Sequence, residues 1–362
     1  MKTILFLITL FAWLLVAGCT SRTTPLAFTP APTLAAVTPI TAAETPSPAA
    51  TVALQTLGIA TLAPQPAFQP VLSVGLVTDG AKSDDGSLSQ SVYAGLQRSA
   101  AEAPVVVALI ESLRDEDIAL NLATFAQSGF DLIVTVGEQG AAAAAELAPG
   151  YPASHFVIVD APAAQPAANV HLVLFNDEQL GLAAGVWAGA ASQSGVVGLV
   201  TAAEPARAEA LNRGYATGVR QSCPACTVLN TALGMDEAAA LGRAAALRQI
   251  GEGADVILGA GGAAGNGALL GAAQQAVWAI GLDDDAFLTV FTGDAQSGST
   301  YLLGSVVKRA DEAIYQLVSD TLAGKSLPAQ LMMDAHNGGI GIAPRHGDAP
   351  PAPPEVEALL QR

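Results

Sequence analysis

Beyond residue 70 the chain alternates short apolar runs with stretches in which apolar positions recur every three or four residues. Runs rich in Val, Ile and Leu and bounded by turn residues predict buried strands, and the stretches between them predict helices. Their alternation points to βαβ units and parallel sheets, an α/β fold. A first series predicts strands at 71–78, 104–110, 131–136 and 155–159, with helices at 90–101, 115–128 and 141–147. After a short strand at 170–175, a second series predicts helices at 178–191, 206–221, 238–251 and 267–275. Its strands fall at 195–200, 227–230, 255–259 and 277–282. Two series of similar length imply two lobes with a cleft between them. A strand near 288–291 and a helix over 305–323 are expected to return across the hinge.

In open α/β sheets, ligands sit beyond the carboxyl ends of the strands, where loops meet helix N-termini. Asp79, Asp160 and Asp283 each end an expected strand, and Gly261 follows another. A carboxylate so placed accepts two hydroxyl hydrogen bonds at once, which suits a ribose-like or other polyhydroxyl ligand. The loop after Asp79 carries Asp84 and Asp85 among small polar residues before the next helix. Asp84, Asp284 and Asp285 fit equally well as helix caps or solvated side chains. The run Gly259-Ala260-Gly261-Gly262-Ala263-Ala264, with Asp283 at the end of the next strand, imitates a dinucleotide fingerprint. It falls late in the fold, in a chain rich in glycine and alanine, so its plainer meaning is close backbone approach to a ligand at Gly261. No Walker A loop, G-x-S-x-G elbow or H-E-x-x-H motif is present, so no catalytic residue and no cofactor is assigned.

The N-terminus changes where this body is expected to work. Lys2, the apolar run 4–16 and then Val16-Ala17-Gly18-Cys19 resemble the signal peptide and lipobox of bacterial lipoproteins. A membrane span needs about 20 apolar residues, more than this run provides. The resemblance implies a signal peptide over 1–18 and acylation of Cys19, with the protein held at the extracytoplasmic face of the cell membrane by lipid alone. Residues 19–70, rich in Pro, Thr and Ala and almost without charge, then form an extended tether. Lys plus Arg number 15 and Asp plus Glu 32, a net charge of −17, which repels phosphate backbones and excludes nucleic acid as a partner. Cys223 and Cys226, in a Cys-Pro-Ala-Cys turn before a strand, fit a local disulfide in an exported protein. A redox pair would precede a helix, and zinc would need two more ligands, whereas none of the four histidines pairs at ligand spacing.

Several blocks in order resemble the basic membrane protein family of lipoproteins, which includes purine nucleoside receptors. They are Val77-Thr78-Asp79-Gly80 with Asp84-Asp85-x-Ser87-Leu88-Ser89-Gln90, Phe156-Val157-Ile158-Val159-Asp160, and Gly214-Tyr215-x-x-Gly218. Gly261-Gly262-Ala263-Ala264-Gly265, Ile280-Gly281-Leu282-Asp283 and Gly304-Ser305-x-x-Lys308-Arg309-Ala310-Asp311 complete the series. The resemblance implies a type I periplasmic binding protein fold, two Rossmann-like lobes joined by a three-crossover hinge. The lobes are expected over 71–176 plus about 283–303 and over 177–282 plus about 304–345, with a tail at 346–362. It implies a monomeric solute-binding protein that hands a nucleoside or nucleoside-like ligand to an ABC permease and ATPase, without chemistry. A surface sensor of the same fold and an exported enzyme are the alternatives.

Carried over position by position, Leu88 and Tyr215 cover the base, Ser89 and Asp160 meet its edges, and Asp283 and Lys308 hold the ribose. Tyr215 could instead belong to the core of its helix. Leu88 replaces an aromatic and cannot stack as one, and Ser89 replaces an Asn and loses bidentate reading of a base edge. Lys308, placed in the first turn of an expected helix, would oppose the helix dipole, which favours a role beside Asp283 or on ligand hydroxyls.

Overall fold

The computed structural model describes residues 71–235, 237–292 and 298–361. The expected signal peptide, Cys19 and the tether lie outside them. Two six-stranded sheets form the body. In the first, β1 (Leu72–Val77) lies between β2 (Val105–Ile110) and β3 (Leu132–Val136). The sheet continues through β4 (His155–Val159) and β5 (Val170–Phe175) to β11 (Gln330–Met333), with every pair parallel. The second sheet repeats the order. There β6 (Val196–Ala202) lies between β7 (Thr227–Leu233) and β8 (Val256–Ala260), followed by β9 (Trp278–Asp283), β10 (Leu302–Lys308) and the antiparallel β12 (Ile340–Ile342). β3 and β8 are buried at every position, as parallel strands covered by helices on both faces must be.

In the first lobe α1 (Leu88–Glu102), α2 (Asp115–Gln127) and α3 (Gly137–Leu147) connect the strands. In the second, the connections are α4 (Asp177–Ala191), α5 (Pro205–Ser222), α6 (Ala239–Gly251), α7 (Gly262–Gln274) and the short α8 (Ala286–Thr289). The chain crosses between lobes three times: from β5 to α4, from β10 to α9 (Ala310–Leu322), and from β11 to β12. α9 packs on α1 and so belongs to the first lobe. The crossings lie side by side, since the Asn176 amide donates to the Met333 carbonyl at 2.9 Å and the Arg309 amide to that of Gly339 at 2.9 Å.

The structure departs from the sequence expectations in four places. Residues 286–289 form α8, capped by the Asp285 carboxylate, which accepts from the Phe287 amide at 3.1 Å, and not a strand. Residues 302–308 form β10, because a run buried on both faces beside β9 outweighs the helical pattern that starts only at Ala310. The segment 283–303 therefore belongs to the second lobe, and the first lobe is completed by α9 and β11. The expected C-terminal tail is also partly folded, with α10 (Pro354–Leu360) packed on α4 and Val356 fully buried.

The Gly214 and Gly218 positions serve helix packing. A Cβ at Gly214 would fall on the carbonyl oxygen of Glu178, one at Gly218 on that of Leu182, and one at Gly185 on that of Tyr215. Small residues thus let α4 and α5 approach backbone to backbone. The Cys223–Cys226 disulfide forms in the connection from α5 to β7, with Cα atoms 5.3 Å apart.

Candidate functional site

Each sheet has its topological switch point at the strand that lies inside the order, between β1 and β3 in one lobe and between β6 and β8 in the other. Asp79 follows β1 there and lies against Gly137, which opens α3 with φ 73°. A side chain at Gly137 would place its Cβ 3.1 Å from Asp79 Oδ2. The buried Ser89, in the first turn of α1, donates its hydroxyl to Asp79 Oδ1 at 3.0 Å. Gly261, at the equivalent turn after β8, has φ 81°, and a Cβ on it would collide with the Ala202 carbonyl at the end of β6. Glycine is required there first by neighbouring backbone.

The ends of β4 and β9, equivalent strands of the two lobes, carry Asp160 and Asp283. Both have left-handed backbone, φ 64° and 75°, a conformation uncommon outside glycine. Lys308, the last residue of β10, joins them. Its ammonium donates to Asp160 Oδ1 and Oδ2 at 2.8 and 2.7 Å and lies 3.1 Å from Asp283 Oδ1. Asp283 Oδ1 also accepts from Arg207 Nη2, and Arg207 Nε donates to Asp177 Oδ1 at 2.9 Å. Five charges thus form one chain from the first lobe to the start of α4, beside the first crossing.

Burial disfavours the Lys308 charge, but Asp160 and Asp283 outweigh it and hold the ammonium protonated beyond the ordinary lysine range. Burial also works against Asp283, yet Arg207 and Lys308 hold its carboxyl below the usual range. At Asp160 burial prevails over the pull of Lys308 and raises the pKa. Desolvation of the half-buried Asp284, with like charge from Asp283, Asp160 and Asp79, pushes its carboxyl up to about 7.

A cavity of about 400 Å³ lies beside this chain of charges, lined by Ser87, Gln90 and Ser91 of the first lobe and by Asp283, Asp284 and Lys308. That volume is within the range of small-molecule sites, about 300–1,000 Å³. At its edge the lobes touch, since a Cβ on Gly86 would lie 2.5 Å from that of Leu288 in α8.

Of the sequence-derived residues, Asp160, Asp283 and Lys308 are brought together, and Asp79 and Ser89 form a pair. Leu88 opens α1 and packs half-buried against the main core. Asp84 is exposed on its loop; it is Asp85 that organises the turn, accepting from the amides of Lys82 at 2.8 Å and Ser87 at 3.0 Å. Tyr215 is no part of the cleft. It is fully buried, and its hydroxyl donates to the Gly198 carbonyl at 3.0 Å, near the start of β6 and away from the ligand-facing strand ends. Lys308 ends a strand and does not start a helix. Arg207 and Asp177, outside the motif blocks, join the same chain of charges. Arg207 lies in the first turn of α5, where a cation opposes the helix dipole, although Glu204 and Glu209 flank it in sequence.

The model of the Bmp family, described as "ABC transporter substrate-binding protein PnrA-like", matches residues 72–355. A CD4+ T-cell-stimulating antigen of Listeria innocua is 30% identical over 267 residues, 70% of this chain and 74% of that protein. An ABC transporter nucleoside-binding protein of Lactococcus lactis is 26% identical over 285 residues, 75% of this chain and 81% of that protein. Among solved structures, an ABC transporter solute-binding protein from Conexibacter woesei superposes with a TM-score of 0.63 at 20% identity. The match covers 81% of this chain and 96% of that one, a likeness of type I periplasmic binding protein fold.

Proposed function

The chain belongs to the Bmp family of PnrA-like ABC transporter substrate-binding proteins, and we propose that its cleft captures a nucleoside or nucleoside-like solute and releases it unchanged to a permease. The observation that carries this reading is the meeting of Asp160, Asp283 and Lys308 at the ends of β4, β9 and β10. The Asp283 carboxylate, held in its charged form by Arg207 and Lys308, presents an acceptor to ligand hydroxyls without having to reorganise. The Lactococcus relative, described as nucleoside-binding, supports the same ligand class.

The base end differs from the pattern the resemblance implied. Ser89 is committed to Asp79, so the acceptor offered to a base edge there is the Asp79 carboxylate, oriented by the Ser89 hydroxyl. Leu88 and Tyr215 provide no aromatic sandwich. The ligand is thus held more by its hydroxyl-bearing part than by its base, and several bases should be accepted.

In this reading Cys19 carries the lipid that keeps the protein on the extracytoplasmic face of the membrane, and the body acts as a monomer. No helix among the described residues is long and apolar enough to cross a membrane. A thermal-shift panel of purine and pyrimidine nucleosides, riboflavin and free sugars tests the ligand class. Stabilisation by nucleosides is expected. A response confined to sugars or riboflavin would transfer the assignment to that class.

A further inference from the structure

The cleft uses the carboxyl ends of the strands, and at the opposite end of the first sheet lies a histidine pair that the site does not engage. His155 opens β4 and His171 is the second residue of β5. Their rings meet across the two strands, with His155 Nδ1 2.9 Å from His171 Nε2. His171 is buried, and its Nδ1 lies 2.8 Å from the carbonyl oxygen of Pro328, in the connection from α9 to β11. A carbonyl only accepts, so Nδ1 of His171 carries the hydrogen. In the neutral ring Nε2 then accepts, and the His155 Nδ1–H donates to it. Directly after Pro328, the Ala329 carbonyl accepts from the Leu172 amide at 3.0 Å, and β11 runs on beside β5 to Met333, whose carbonyl takes the Asn176 amide at the crossing between lobes. The histidine pair thus fastens the start of the strand that leads into the third crossing.

The pair accommodates one added proton. It goes to Nε2 of the half-buried His155, whose Nδ1–H still donates to His171. A second must go to His171 Nε2, which sets two N–H groups face to face across 2.9 Å and two positive charges side by side. The charged groups on the elements around the pair are engaged elsewhere. Asp131, whose carbonyl accepts from the His155 amide, has its carboxylate taken by the Ser73 amide and hydroxyl at 2.8 and 2.6 Å. Lys325, on the connection that carries Pro328, pairs with Asp320 at 2.6 Å. We propose that the His155–His171 pair is an acid-sensitive clasp that holds β11, and through it the third crossing between the lobes, at neutral pH and releases it in acid. Burial lowers the His171 pKa against the pull of the Pro328 carbonyl, and the like charge of His155 adds to the lowering. The unfolded chain takes both protons near the ordinary value of 6.5, whereas the folded pair resists the second. The contribution of the clasp is therefore complete above that value and is lost as pH falls below it. None of this depends on which ligand the cleft takes.

The test is amide hydrogen exchange of the full-length protein at pH 7.5 and pH 5, corrected for intrinsic rates, with β9 of the second sheet as the internal control. On acidification the protection of residues 325–333 should fall about 3- to 10-fold more than that of β9, the factor carried by one hydrogen bond. His155→Gln keeps an N–H donor for His171 Nε2 but takes no proton, so it should keep the protection seen at pH 7.5 and lose the acid response. Nitrogen-15 spectra of the imidazoles at pH 8 should show both His155 and His171 as the Nδ1–H tautomer. An equal fall in both sheets overturns the clasp, as does an acid response in His155→Gln as large as in wild type. An Nε2–H tautomer at His171 contradicts the hydrogen-bond assignment on which the clasp is built.

Discussion

Replacing Lys308 by Met probes the centre of the site. Methionine keeps most of the volume of a side chain that is 1% exposed and deletes the ammonium that Asp160 and Asp283 share. Removing one partner of a buried ion pair costs about 3–5 kcal/mol, mostly because the other charge is left without compensation. Here only one of two carboxylates is stranded, since Asp283 keeps Arg207. The stranded one, Asp160, is 29% exposed, so water softens the loss and the lower end, about 3 kcal/mol, is expected near pH 8. The sign of the pH dependence follows from Asp160. Its folded pKa is already raised by burial, and without Lys308 it rises further. A carboxyl raised in the folded state contributes stability at low pH and loses it as pH increases, so the deficit of the variant should widen from pH 5 to pH 8. Urea unfolding of both proteins across that range measures it, and adding Asp160→Asn to Lys308→Met should recover more than half of the loss at pH 8. A deficit below about 1 kcal/mol that is flat with pH, with no recovery in the double variant, would refute the ion-pair account.

Tyr215→Phe removes the donor to the Gly198 carbonyl inside a packed lobe and should cost about 1–3 kcal/mol in chemical denaturation while leaving ligand affinity unchanged. Lost affinity at normal stability would return Tyr215 to the cleft. Asp284, pushed up to about 7 from an ordinary 3.8, should contribute stability that is complete below the ordinary value and is lost as pH rises through about 7. Thermal midpoints of Asp284→Asn against wild type should therefore diverge between those pH values, and parallel curves would contradict the shift. Gly185→Ala drives a methyl into the Tyr215 carbonyl between α4 and α5, and a loss of about 1–3 kcal/mol is expected in thermal unfolding, with ligand binding intact.

The alternation of apolar runs made the two sheets legible because parallel strands covered on both faces are apolar along their whole length. β10 was hidden because its run leads directly into α9 with a single intervening residue, Arg309, so the helical period seemed to begin too early. That one misplacement assigned 283–303 to the wrong lobe and set Lys308 at a helix start. Asp160 and Asp283 could be found because position at a strand end is a property of sequence order. Their partnership could not, since they lie 123 residues apart and are joined only by Lys308. Tyr215 misled because its flanking glycines look like a ligand-approach motif, whereas they serve the close contact of α4 with α5. A cation opposing a helix dipole marks Arg207, a residue the motif blocks do not include.

The most direct test of the account is a calorimetric titration of the wild-type protein with a ribonucleoside. Saturable one-to-one binding with a negative heat-capacity change, as the lobes bury the ligand at the ends of β4, β9 and β10, is the predicted result. The absence of saturable heat with every ribonucleoside at millimolar concentration would contradict it.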